Sequence, residues 1–384
     1  MSAGPSPVPP PPPPPPSTWS LADWVDFEIL LAQEEPGTEP AWLRAWEKHR
    51  GPASSPPHDL PRRGLFRRWL EFRRADPTLR LPGEALASGW RSLSVLAGIA
   101  GVLLGGTLTG TLLHYRGTEP VNVAWFLVAT LGLQLVLLVG TLGVAALRRT
   151  TGLARELRPL RHALTGLAWL CSAGLRRLPG ERREELRARV ANLLRKREIY
   201  GSLATWPILV VTQTFAVGYN VGILVLLLAH VAATDLAFGW QSTLDLGPDA
   251  VHRIVTAVAS PWAWFAPNPN PTLPQIVGSR FSYADGMSGL DRAALAAWWP
   301  FLAYAVAFYG AGLRAAALAG AWIGQRRALD RWAFDHEGCN ALARRLTGPA
   351  IHACSDTAAL RIPDTPALPD APAPTRKACL ALVA

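Results

Sequence analysis

The chain has 384 residues, 49% of them hydrophobic, and a formal net charge of +10 from 38 Lys+Arg against 28 Asp+Glu. An isoelectric point near 10.1 ordinarily raises nucleic acid as a partner. No RNP, zinc-finger or helix-turn-helix signature is present, and the charge is sorted by position, so nucleic acid is excluded and the excess is read as a topology signal. Four hydrophobic stretches carry that signal: residues 92–113, 121–147, 203–233 and 298–323. Of the basic residues, 11 precede the first stretch, 14 lie between the second and third, and 8 follow the fourth. The other two connections carry 1 and 3, and Arg314 sits inside the fourth stretch. Basic residues are retained on the cytoplasmic side of a membrane. The expected fold is therefore an all-α integral membrane protein with four transmembrane helices, a cytoplasmic helical hairpin and an amphipathic periplasmic cap.

Residues 1–18 form a proline-rich tail with an unbroken proline run at 9–16, which reads as disordered. It has neither a charged n-region nor an apolar h-region, so the first span is expected to act as the insertion signal. Residues 19–91 read as a cytoplasmic helical region. Ser20 and Asp23 have capping spacing, and Leu21, Trp24, Val25 and Leu31 continue an apolar face. A second helix carries Trp42, Leu43 and Trp46 after Pro40. A third, at 62–75, sets Leu65, Phe66, Trp69 and Leu70 against Arg63, Arg67, Arg68, Arg73 and Arg74. Such a helix suits anionic inner-leaflet lipids or the solvated face of a small bundle.

Residues 92–147 hold the first two spans. Gly98, Gly101, Gly105, Gly106 and Gly110 let helix backbones approach closely in the first, within the chain or, second, in a homodimer. Residues 148–202 read as a helical hairpin, with a heptad seam of Leu153, Leu157, Leu160, Leu164 and Leu167 before Pro179-Gly180, and Leu186, Val190, Leu193 and Leu194 after it. That seam buries itself or docks a partner.

The third span, 203–233, is followed by a periplasmic segment, 234–297, that is too apolar for a simple loop. Pro248 and Asp249 open a helix there, with Val251, Ile254, Val255 and Val258 on one face, and 268–274 is a stiff proline-rich connector. Trp240, Trp262, Trp264, Trp298 and Trp299 are expected at the headgroup level. The fourth span, 298–323, leads to a cytoplasmic tail, 324–384, disordered toward its end.

Within the spans, Arg314 is the main candidate, because an intramembrane charge costs about 2.5–3.5 kcal/mol and usually faces a partner or water. Gln213, Asn220 one heptad later, and Gln134 are the large amides at similar depth. Arg314 is expected to approach Gln213 or a backbone carbonyl of the third span. Gly310-Ala311-Gly312 lacks a preceding strand and is discarded as a nucleotide fingerprint. His230 with Asp235, and Asp249 with His252, make neither a metal motif nor a triad, and no catalytic residue is assigned. Cys171, Cys339, Cys354 and Cys379 lie on the inner side without metal or redox spacing, so no metal or cofactor is expected.

Several strings carry a family resemblance. They are Pro120-Val121-Asn122-Val123 with Gln134, Gln213-Thr214-Phe215 with Tyr219-Asn220-Val221-Gly222, and Asp235-Leu236-Ala237-Phe238-Gly239-Trp240 with Ser242-Thr243-Leu244. Pro261-Trp262-Ala263-Trp264 and Ser279-Arg280-Phe281 complete the set. Together they resemble the bacterial inner-membrane family catalogued as domain of unknown function 2868, over about residues 80–325. The resemblance implies a proline before the arginine of the last span, where this chain has Leu313. It implies no activity, cofactor or catalytic residue, and it implies a cytosolic GTPase-like partner.

The expected function is a non-enzymatic inner-membrane platform or regulator, both termini cytoplasmic, recruiting such a partner. Its partners would be the lipid bilayer, anionic inner-leaflet lipids, the GTPase-like protein and a second copy of itself. The alternative is a small transporter or channel using Arg314, Gln213, Asn220 and Gln134. A membrane enzyme at the periplasmic face, through His230, Asp235 and Asp249, is more distant.

Overall fold

The computed structural model describes residues 18–34, 42–50, 61–79, 81–114, 119–132, 134–136, 138–140, 197–242, 246–281 and 290–347. Helices α1 (Leu21–Ala32), α2 (Trp42–Arg50) and α3 (Arg62–Arg74) precede the long apolar helix α4 (Gly83–Leu112). Helix α5 (Val123–Leu127) continues through a π-helical turn, Val128–Gly132. Next come α6 (Arg197–Ala233), α7 (Pro248–Ala259), α8 (Leu273–Gly278) and α9 (Arg292–Ala296). Helix α10 (Trp298–Ala305) runs through a second π-helical segment, Val306–Gly312, into α11 (Leu313–Asp330), and α12 (Glu337–Thr347) follows.

Among the described residues, four segments are long and apolar enough to cross a membrane: Gly83–Leu112, Val123–Gly140, Thr205–Ala233 and Arg292–Asp330. Helix α4 begins at Gly83 rather than residue 92, because its N-terminus is set by a contact with α1 described below. The 37 residues of α6 span about 55 Å, against a bilayer core of about 30 Å. It is thus longer than a single crossing needs, and near its start Leu203 packs against Trp24, Val25, Ile29 and Leu329.

At that end of the molecule the two ends of the described chain meet in one bundle. The Ser20 hydroxyl accepts the Asp23 N–H at 3.1 Å while the Asp23 carboxylate accepts the Ser20 N–H at 2.9 Å, so α1 starts at the expected capping box. The core joins Trp19, Phe27, Leu30, Trp46, Leu65, Phe66, Trp69 and Leu70 to Phe334, Cys339, Leu342 and Leu346. Its rings meet mainly edge-on: Phe27 lies 5.7 Å from Trp69 and 5.6 Å from Phe334, at 83° and 90°. The apolar face of α3 is thus covered by protein, which is the bundle alternative for this helix. Helix α12 lies in the first part of the stretch read as tail, and the end expected to be disordered lies outside the described residues. The hairpin residues Leu153, Leu157, Leu160, Leu164, Leu186 and Val190 lie outside the described residues.

The opposite end is built from α7, α8 and α9 around a two-stranded parallel pair, β1 (Val121–Asn122) and β2 (Phe238–Gly239), in register Val121↔Phe238 and Asn122↔Gly239. A Cβ on Gly239 would lie 2.8 Å from a Phe281 ring carbon and 2.9 Å from the Ser279 carbonyl oxygen, so only glycine fits this approach. Asn122 also caps α5, accepting the Trp125 N–H at 3.1 Å.

Candidate functional site

The spacing of α4 and α6 is set by glycines on both. A Cβ on Gly101 would lie 2.2 Å from the Phe215 carbonyl oxygen, and one on Gly105 2.0 Å from that of Tyr219. Reciprocally, Gly218 would meet the Gly98 carbonyl at 2.3 Å and Gly222 that of Val102 at 2.1 Å. Two GxxxG pairs therefore face each other within one chain. Gly106 and Gly110 lie along the same seam more loosely, with Leu226 at 3.8 and 3.4 Å. Gly218 and Gly222 are not among the glycines expected to pack, although their four-residue spacing stands in the third span.

Residues two apart on a helix point about 200° apart, so the glycine seam turns Asn220 toward the other spans. Asn220 is 0% exposed. Its amide nitrogen donates to Gln134 Oε1 at 2.8 Å and to the Ala216 carbonyl at 2.7 Å. Gln134 returns a bond from Nε2 to Asn220 Oδ1 at 3.2 Å and donates to the Thr130 carbonyl at 2.7 Å. Gly310 leaves room for the Asn220 carboxamide, whose Oδ1 a Cβ there would approach to 2.1 Å. Thr130 and Gly310 belong to the two π-helical segments, so both irregular turns border this amide pair. Such π-helical insertions recur at functional sites.

One turn beyond Gly310, Arg314 is 7% exposed. Its Nη2 donates to the Gln134 carbonyl at 2.7 Å and its Nη1 reaches Gln213 Oε1 at 3.4 Å. The expected Gln213 contact is present but long. The carbonyl that Arg314 also meets belongs to the second apolar segment. The four polar residues singled out within the apolar segments, Arg314, Gln213, Asn220 and Gln134, thus converge on one network. The same antiparallel register continues to Gly324, where a Cβ would meet the Trp206 ring at 2.4 Å.

A second polar site joins the bundle to the long helices. Asp26 Oδ1 accepts the Gly83 N–H at 2.6 Å, placing a carboxylate on the N-terminus of α4. Arg74 holds its other oxygen at 2.6 Å and Asp23 at 2.5 Å, and Arg67 pairs with Asp23. Arg63 donates to the Asp330 and Leu329 carbonyls at 2.6 and 2.9 Å, placing a guanidinium on the C-terminus of α11. Burial pushes Asp26 above the ordinary carboxylate value, with Arg74 pulling against it. Burial also acts on Asp23, but hydrogen bonds from Ser20, Arg67 and Arg74 outweigh it and hold Asp23 low. Burial among Glu28 and Asp335 pushes the Cys339 thiol well up, which keeps it protonated and unreactive. His336 Nε2 lies 3.1 Å from both Cys339 Sγ and Glu28 Oε1. One ring nitrogen facing both groups is not a relay, which uses the two nitrogens separately.

At the far end the expected headgroup belt is largely a core. Trp262 and Trp298 are fully buried and Trp240 nearly so, while Trp264 is 82% exposed. The buried indoles satisfy their N–H groups internally, on Asn270 Oδ1 at 2.9 Å, Ser279 Oγ at 2.8 Å and the Ile276 carbonyl at 2.7 Å respectively. Asp235 pairs with Arg292 on the surface, and His230 Nδ1 lies 2.9 Å from the Leu226 carbonyl. These two residues therefore do not assemble with each other.

No curated protein and no solved structure matches the chain. A family match covers residues 175–383, more than half the chain. It begins and ends later than the strings suggest, so Pro120–Val123 and Gln134 fall outside it, whereas Asp235–Leu244 and Arg314 fall inside. On that match the chain belongs to the family described as Protein of unknown function (DUF2868).

Proposed function

We propose that this chain is a non-enzymatic platform of the inner (cytoplasmic) membrane that recruits a cytosolic protein, of the GTPase-like kind, to its bundle and central hairpin. In this reading both termini and residues 148–202 face the cytoplasm, and residues 234–297 form the periplasmic cap. The sorting of 11, 14 and 8 basic residues against 1 and 3 supports that orientation. So does the joining of α12 to α1 and α3, since chain ends flanking four crossings belong on one side.

The observation that carries the reading is the grip of the bundle on the long helices. Asp26 sits on the N-terminus of α4 and Arg63 on the C-terminus of α11, each matching the sign of the helix dipole. A soluble bundle keyed to two helix ends presents a surface held in fixed orientation to the membrane. Its test is affinity purification of the full chain in mild detergent, beside a form lacking residues 153–194. One soluble protein should be recovered in near-stoichiometric amount and lost with the deletion. Recovery of no such protein by either form contradicts the reading.

A second reading, a small transporter or channel, is favoured by the convergence of Arg314, Gln213, Gln134 and Asn220. Solute flux into proteoliposomes that falls in a Gln134→Leu variant supports it. Flux indistinguishable from empty vesicles removes it.

A further inference from the structure

We propose that the polar centre binds an anion, held by the Arg314 guanidinium and the Gln213 amide. The hydrogen-bonding groups left over at this centre point to it. Gln134 and Asn220 are closed, because each carboxamide nitrogen donates twice and each side-chain oxygen accepts. Arg314 and Gln213 are not. Arg314 makes its bonds through Nη1 and Nη2, and among the described residues its Nε–H and remaining Nη hydrogens meet no acceptor. Gln213 accepts through Oε1, and among the described residues its amide hydrogens have no acceptor either. What remains is donors only, together with one full positive charge.

That charge has no counterion among the described residues: the ion pairs lie in the bundle and at the far end, none at Arg314. Water would accept the free N–H groups and leave the charge uncompensated in an apolar surround, which is the costlier half of the problem. Escape to the bundle-end interface is also closed. Trp322 lies eight residues away, about 12 Å along the helix, and helical side chains lean toward the N-terminus of α11, in the opposite direction. The partner that fits is compact, acceptor-only and negatively charged. It is either a small free anion or the phosphate of an anionic lipid entering beside the exposed Gly312, Leu313 and Ala315.

The inference deepens the transport reading by naming the class of ligand. Binding is measured without movement, so its failure is distinct from failure of the flux assay. The full chain in mild detergent is unfolded by heat while sodium chloride replaces sodium gluconate at constant ionic strength. In parallel, phospholipid phosphorus is measured per chain after exhaustive detergent washing. Chloride should raise the Tm saturably, by about 2–4 °C, in the wild type and not in Arg314→Gln. Gln213→Leu keeps the charge and should raise the half-saturating chloride about tenfold. Retention of about one lipid phosphate per chain, lost in Arg314→Gln and replacing the chloride effect, supports the site with the lipid as its source. A wild-type chain with neither response overturns the proposal, as does an equal chloride shift in wild type and Arg314→Gln.

Discussion

Gly310 and Asn220 offer a perturbation whose magnitude follows from the geometry. An alanine at 310 places its Cβ 2.1 Å from Asn220 Oδ1 and 2.8 Å from its Cγ. Asn220 cannot swing aside freely, because Gln134 and the Ala216 carbonyl hold its carboxamide at 2.8 and 2.7 Å. Accommodating the methyl therefore breaks the reciprocal amide pair. Each buried bond contributes about 0.6–1.5 kcal/mol, and the groups left unpaired add to the loss, so Gly310→Ala should cost about 2–3 kcal/mol. Asn220→Ala should cost about 1–2 kcal/mol by stranding the Gln134 amide. In the double variant the obstructing oxygen is gone. The Gly310→Ala step should then be about neutral, since alanine's better helix propensity, up to about 1 kcal/mol, works against the remaining 3.1 Å contact with Leu131 Cδ2. The coupling between the sites is thus about 2–3 kcal/mol. It is read by unfolding all four chains with SDS in mixed micelles and following far-ultraviolet circular dichroism. Costs that add to within about 0.5 kcal/mol would refute the reasoning.

The seam between α4 and α6 makes a sharper contrast between neighbours. Gly105→Ala meets a backbone oxygen at 2.0 Å and should cost about 2–3 kcal/mol, whereas Gly106→Ala meets nothing closer than 3.8 Å and should be neutral or slightly stabilising in the same assay. Equal costs would mean that the two helices do not approach as described. In the bundle, the depressed Asp23 value has a definite sign. Below about pH 4 the unfolded chain protonates Asp23 while the folded chain does not, so stability present above that pH is lost as pH falls through the folded value. Asp26, held high, acts oppositely: its folded form favours the proton and loses relative stability as pH rises. Asp23→Asn should therefore flatten the acid limb of a stability–pH curve, and Asp26→Asn should steepen it; unchanged limbs in both would contradict the assigned directions.

Much of the membrane architecture was legible because apolar length is a local property, and because an apolar span leaves few candidates for a buried charge. Arg314 had Gln213, Asn220 and Gln134 as the large amides at comparable depth, so its contact with Gln213 could be foreseen. Which segment supplied the carbonyl could not, since every span offers carbonyls and only the packing of α11 chooses among them. The glycines of α4 announced a close neighbour, and Gly218 and Gly222 carried the matching spacing. Cys339, Leu342 and Leu346 also had helical spacing, yet their partners Phe27 and Phe66 lie about three hundred residues earlier in the chain. No local pattern reports that distance. The indoles misled for a different reason: an amphipathic ring suits a headgroup layer and a core containing one acceptor equally well, and Trp262 found Asn270. The two π-helical segments had no signature in composition or periodicity.

Orientation underlies both the recruitment reading and the depth assigned to Arg314. Reporter fusions placed after Arg149 and after Ala250 test it directly. The account predicts cytoplasmic activity at the first position and periplasmic activity at the second. Both reporters active in one compartment would contradict it.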